Sequence, residues 1–148
     1  MIAGADLVLE ASRPRALQQL GIHAEEVVAQ GTSWLSITAA GRDSDTVGFG
    51  DDVAVRGGLR TVVGGRTSPV GDAIADPLTG VVAATAAVAV LEAEPALIDV
   101  SMLHVAAAAA RGETAEHRVV RGPGDAWWVE TDAGRWPVAP PRRRGRER

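Results

Sequence analysis

The stretch from Asp76 to Glu92 constrains the fold most. Val81–Leu91 contains no charged residue, and only Thr85 interrupts its apolar character. The run falls well short of the roughly 20 residues needed to cross a bilayer, so it reads as a helix in a globular core. Asp76-Pro77 opens it, and an aspartate at the N-cap followed by a proline at the first helical position favours a helix start. Pro95 ends it. A helix that is apolar all round is expected to be buried on every side, which requires other elements around it.

Those elements are visible on both flanks. Leu97–Val100 (LIDV) reads as a short strand and Met102–Ala110 as an alanine-rich helix stopped by Gly112. Upstream, Leu7–Leu9 is a short apolar strand, and Ser12 is an N-cap candidate with Pro14 in the first turn of a helix that Gly21 ends. His23–Gln30 reads as a second short helix ended by Gly31, and Ser33–Thr38 (SWLSIT) as a strand. Ala40–Gly71 is rich in Gly, Asp and Arg and reads as loop, with one short helix near Asp52–Leu59. After Gly112 the character changes: His117–Val120, Trp127–Thr131 and Trp136–Val138 look like strands separated by Gly-Pro-Gly and Asp-Ala-Gly turns. Pro140-Pro141 and the arginines beyond read as a disordered tail. The expected class is α/β: a small, mostly parallel sheet with flanking helices, one long buried helix and a short C-terminal β segment.

Composition removes several chemistries. The chain has 148 residues and no cysteine, which excludes a disulfide scaffold, a thiol nucleophile and cysteine-ligated metal. Every basic residue is arginine, so lysine Schiff-base chemistry is excluded. His23, His104 and His117 lack metal-ligand spacing, and no metal is expected. The formal charge is −4. The tail from Arg142 carries +4 and the remainder −8, an acidic body that argues against nucleic-acid binding. Met1–Glu10 has no basic segment before its apolar residues, so the expected location is the cytoplasm, away from membranes.

Three segments together resemble CoA-transferase family III, also described as the carnitine-dehydratase/bile-acid-inducible family. ADLVLEASRPRALQQLGI (Ala5–Ile22) is similar to a family segment with an RPG triplet; Arg13-Pro14 keep the pair and Arg15 replaces the glycine. WLSITAAGR (Trp34–Arg42) resembles a strand-and-loop motif in which Ala39 stands for the usual glycine. IADPLTG, the apolar helix and IDVSMLHVAAA resemble the family's D-x-x-(T/G)-G, long helix and V-D-V-S-L elements, with Asp76, Thr79, Gly80, Asp99, Val100 and Ser101 in place. The resemblance covers roughly Ala5–Gly112.

It implies a partial nucleotide-binding-type sheet and an enzyme that moves CoA between an acyl-CoA and a carboxylic acid. Asp76 takes the place of the family's nucleophile, and Arg13 that of the arginine that contacts the nucleotide portion of CoA. Gly50, Gly57 and Gly58 are candidates for backbone N–H donors to an oxyanion, because they fall in a glycine-rich loop. No cofactor is implied beyond CoA or acyl-CoA as substrate. Some family members are racemases with a Gly-His-Asp motif; here Gly50-Asp51-Asp52 puts Asp51 where the histidine would be, which favours the transferase.

Each residue also has a plainer reading. Asp76 serves equally as a helix cap, with Asp72 as its rival for the catalytic position. Arg13 reads also as a solvated first-turn residue, Asp51-Asp52 as a solvated turn, and His104 as a core or interface histidine. The tryptophans Trp127, Trp128 and Trp136 fit a small β-layer, and the arginine tail a solvated end. The expected organisation is a partial family domain over 1–112, a β-rich segment over 113–139 and a basic tail over 140–148. Family members are more than twice this length. The chain is therefore expected to work as half of a split enzyme with a complementary chain, or as a homodimer. The alternative is an inactive remnant that binds CoA or a partner subunit.

Overall fold

The computed structural model describes residues 2, 4–63, 65–112 and 116–138. The chain divides into two units, Met1–Gly112 and Glu113–Arg148. In chain order the first holds β1 (Leu7–Glu10), α1 (Pro14–Gln19), α2 (Ala24–Ala29), β2 (Ser33–Thr38), α3 (Gly50–Gly57), β3 (Arg60–Val63), β4 (Arg66–Pro69), α4 (Ala75–Leu91), β5 (Leu97–Ser101) and α5 (Met102–Ala109). The second holds β6 (Arg118–Arg121), β7 (Trp127–Thr131) and β8 (Gly134–Pro137).

The first unit is built on a parallel sheet in the order β1-β2-β5. Leu9 pairs with Leu35, and Leu35 in turn with Ile98. Parallel neighbours require crossover connections; α1 and α2 provide one, and the whole span α3–α4 provides the other. The central strand is buried at Ser33, Trp34, Leu35, Ser36 and Thr38, as expected for a strand covered on both faces. One core cluster joins Leu35, Ala83 and Val100, so it ties the sheet to α4. A second joins Val53, Ala54, Ala75, Met102 and Ala106, where α3, the start of α4 and α5 meet.

Three local expectations need correction. First, α4 is not buried on every side. Ala75, Thr79, Ala83 and Val90 are its buried residues, whereas Val81 is 69% exposed, Val88 63% and Leu91 55%. Uniform apolarity shows no preference between faces, so it could not reveal which one packs. Second, α4 starts at Ala75 with Ile74 as its N-cap, which puts Asp76 inside the first turn. Pro77 follows there at no expense, because the first four N–H groups of a helix have no intrahelical carbonyl. Likewise Arg13, not Ser12, caps α1. Third, the stretch expected as loop contains the antiparallel hairpin β3–β4, with Val62 opposite Thr67. Its sequence signal was the Gly64-Gly65 pair after the β-branched run Thr61-Val62-Val63.

The second unit is an antiparallel meander, β6-β7-β8, with Val119 paired to Val129 and Val129 to Trp136. The guanidinium of Arg135 lies 4.8 Å from the Trp128 ring centre and that of Arg121 5.9 Å from Trp127, within cation–π range. The expected tail over 140–148 lies outside the described residues. Among the described residues, no helix is long and apolar enough to cross a membrane.

Candidate active site

Parallel α/β sheets place their ligands beyond the carboxyl ends of the strands, and a cavity of the first unit lies there. It measures about 800 Å³ and is lined by the turn after β1, the end of β2, the loop leading to α3, Asp76 and Met102. Ser12, Arg13, Arg15, Thr38, Phe49 and Asp76 are among its walls.

The turn that carries Arg13 is anchored from below. Glu10, at the end of β1, is buried. Its Oε1 accepts from Ser12 Oγ at 2.9 Å. Its Oε2 accepts from Ser36 Oγ at 2.8 Å and from the Trp34 indole N–H at 3.2 Å. Arg42 donates to Ser36 Oγ at 2.7 Å, reaches Glu10 Oε2 at 3.7 Å and donates to Glu25 at 3.1 Å. A buried carboxylate needs partners of this kind, because an unpaired charge in a dry interior is strongly unfavourable. A backbone N–H at Glu25 above all, helped by the Arg42 guanidinium, holds the Glu25 carboxyl below its usual range, against the opposing effect of burial. Sequence reasoning missed Glu10 and Arg42. Their only signal was an acid closing a short apolar strand and an arginine just beyond the next one.

The opposite wall is fixed by Asp99. It accepts from Thr38 Oγ1 and from the Arg42 backbone N–H, both at 2.8 Å, and Thr38 Oγ1 in turn accepts from the Gly41 N–H at 2.9 Å. Ser101 caps α5 by accepting from the His104 N–H. His104 itself is exposed on α5 and not in the core.

Asp76 faces the cavity from the first turn of α4. Its carboxylate lies against Gly50, the first residue of α3: a Cβ there would stand 2.5 Å from Asp76 Oδ2 and 2.8 Å from the Ala73 carbonyl oxygen. Only glycine leaves this space. Next to it, Asp51 Oδ1 accepts from the Ala73 N–H and Asp52 Oδ1 from the Phe49 N–H, both at 2.6 Å. The adjacent acids therefore hold two different backbone turns. Asp72 is exposed and does not line the cavity.

Arg13 and Asp76 line the same cavity, Gly50 stands against the Asp76 carboxylate, and Gly57 and Gly58 lie apart. These two end α3, an eight-residue helix, so they lie roughly 10 Å along its axis from Gly50. A Cβ at Gly57 would stand 2.5 Å from Ala106 Cβ, and Gly58 is the left-handed C-cap with φ 102°. Helix packing and capping account for both glycines. Neither glycine is among the residues that line the cavity. Among the described residues, no group of three or more His, Cys, Asp or Glu is placed to hold a metal ion.

Three solved structures of Rv3272 from Mycobacterium tuberculosis share the fold. One, described as a hypothetical protein, matches with 24% identity and a TM-score of 0.65 over 71% of this chain and 33% of its own. The orthorhombic form matches with 22% identity and a TM-score of 0.68, over 86% of this chain and 41% of its own. An aspartate-to-alanine mutant of the same protein matches with 20% identity, again with a TM-score of 0.68 and the same coverage. This chain spans 33–41% of the length of those solved chains. No curated protein matches it. The sequence pattern of CoA-transferase family III matches residues 1–129, and the chain belongs to that family.

Proposed function

We propose that this chain carries the nucleophilic half of a CoA-transferase site, in which Asp76 forms a covalent intermediate and Arg13 binds a phosphate of CoA. The observation that carries the reading is that Arg13 and Asp76 line one cavity of about 800 Å³. A guanidinium suits a phosphate because its planar donors pair with two oxygens at once.

In this reading a carboxylate oxygen of Asp76 attacks the thioester carbonyl of the donor. The C–S bond breaks, CoA leaves as the thiolate, and a mixed anhydride remains. The thiolate then attacks the aspartyl carbonyl and expels the donor acid, which leaves an aspartyl thioester. The acceptor carboxylate attacks that thioester and releases the thiolate, which returns to the acceptor acyl group and frees Asp76. Carboxylate catalysis of this type splits one difficult exchange into easier steps and requires neither cysteine nor lysine. Gly50 supports it by leaving the carboxylate unobstructed.

The proposal includes a complementary segment that supplies the remainder of the pocket, in a second chain or a second copy of this one. It is tested by mixing the protein with acetyl-CoA and trapping with hydroxylamine, with and without such a segment. A hydroxamate at Asp76, absent from Asp76→Ala, is the expected result. Transfer activity that persists in Asp76→Ala removes the assignment. Because the chain spans 33–41% of its solved neighbours, a second reading is a non-catalytic module. It predicts CoA binding by calorimetry without any adduct, and the absence of binding rejects it.

A further inference from the structure

We infer that Asp51 is a positioning residue: its carboxylate clamps the turn before α4 and so fixes the direction in which Asp76 enters the cavity. The inference rests on the proposed role of Asp76 as nucleophile.

Four observations converge on it. Ala73 has φ 48° and is the one non-glycine residue with positive φ among the described residues. Such a backbone is unfavourable for alanine, which lacks the short polar side chain that lets Asn or Asp stabilise it locally. Some outside contact must therefore hold it. That contact is the Ala73 N–H donating to Asp51 Oδ1 at 2.6 Å, a short, charge-assisted bond of the stronger class. The same residue then directs α4, because the Asp76 N–H donates to the Ala73 carbonyl oxygen at 2.9 Å. Finally, that carbonyl and the Asp76 carboxylate both occupy the space that a Cβ at Gly50 would need, immediately before Asp51 in the chain. One residue pair of α3 thus grips the turn from two sides: Gly50 by leaving room and Asp51 by hydrogen bonding.

The arrangement assigns a use to an acid in the position that resembles the racemase histidine. The Asp51 carboxylate is directed at a backbone N–H of the turn and acts on chemistry only through the placement of Asp76. An asparagine can do the same, because its amide oxygen also accepts. A glycine at position 73 relieves the need altogether, because glycine adopts positive φ without strain.

The test compares Asp51→Ala, Asp51→Asn, Ala73→Gly and the double variant Asp51→Ala/Ala73→Gly with the parent chain. It measures amide exchange at Ala73, the rate of hydroxylamine-trapped adduct formation at Asp76 with acetyl-CoA, and CoA affinity by calorimetry. Asp51→Ala is expected to speed exchange at Ala73 and slow adduct formation by about tenfold, the low end for a hydrogen bond to a charged group, without changing CoA affinity. Asp51→Asn retains parental values, and Ala73→Gly restores adduct formation in the Asp51→Ala background. Unchanged exchange at Ala73 in Asp51→Ala overturns the clamp. So does slow adduct formation in Asp51→Asn with Ala73 still protected, which would make the charge itself the active element. If the parent chain forms no adduct at Asp76, the transferase reading fails, and the exchange data alone decide the clamp.

Discussion

Helix α3 meets the rest of its unit through a glycine at each end, and the two contacts press on different things. At Gly50 the neighbours are the carboxylate of Asp76 and the carbonyl of Ala73. At Gly57 they are the Cβ of Ala106 and the backbone of Ala107. Both positions exclude a methyl group by the same margin. One clearance admits a carboxylate that faces a cavity, and the other lets α3 and α5 approach. The difference teaches that a glycine forced by close approach does not by itself mark a site; the identity of the atom on the far side does.

The largest expected effect breaks the symmetry between the two ends. Gly50→Ala should reduce adduct formation at Asp76 at least a hundredfold, because misplacing a reacting group by about 1 Å can cost that much. Its melting temperature should fall as well, because the carboxylate can swing aside into the cavity but the Ala73 carbonyl cannot. An equal loss of adduct formation in Gly57→Ala would erase the distinction. Gly57→Ala comes next: overpacking against α5 should cost about 1–3 kcal/mol, measured by denaturant unfolding, with CoA affinity retained. Asp52→Ala sharpens the comparison from the cavity side. It removes the acceptor for the Phe49 N–H and should cost about 0.5–2 kcal/mol, the range for a lost helix-start contact, while Gly57 and Gly58 keep their packing.

The smallest effect serves as a control on neither end. Glu25 is held below its ordinary value, 4.5, so the unfolded chain binds its proton more readily than the folded one. The resulting stabilisation is complete above pH 4.5 and is lost as pH falls through the lower folded value. Exposure keeps it small, because the Glu25 side chain is 61% exposed. Melting curves of Glu25→Gln should lie slightly below the parent between pH 6 and neutral pH and converge on it towards pH 3. A large difference at neutral pH would mean that the Glu25–Arg42 contact supports the cavity floor more than its exposure suggests.

The sequence made the parallel sheet legible because Leu7–Leu9, Ser33–Thr38 and Leu97–Val100 are short apolar runs bounded by glycine, proline or acids. Arg13 and Asp76 were readable for another reason: they sit in motifs whose resemblance to the family set them apart from ordinary capping residues. What stayed hidden depends on distant partners. Nothing local announces that Glu10 finds Trp34, Ser36 and Arg42, since those contacts span 24 to 32 positions of chain. Nothing in Gly-Asp-Asp says that its two acids bind separate turns. Those facts come from tertiary packing, which overrides local preference.

The bare side of α4 bears on how this chain will melt. Val81, Val82, Val88 and Leu91 are between 44% and 69% exposed in the folded unit. Much of their apolar surface is hydrated both before and after unfolding. The heat-capacity rise on unfolding comes from apolar surface newly wetted, about 12–15 cal/mol/K per residue in ordinary domains. The seventeen residues of α4 should contribute less than that share, so the stability of the chain should vary with temperature along a flatter curve than its apolar composition suggests.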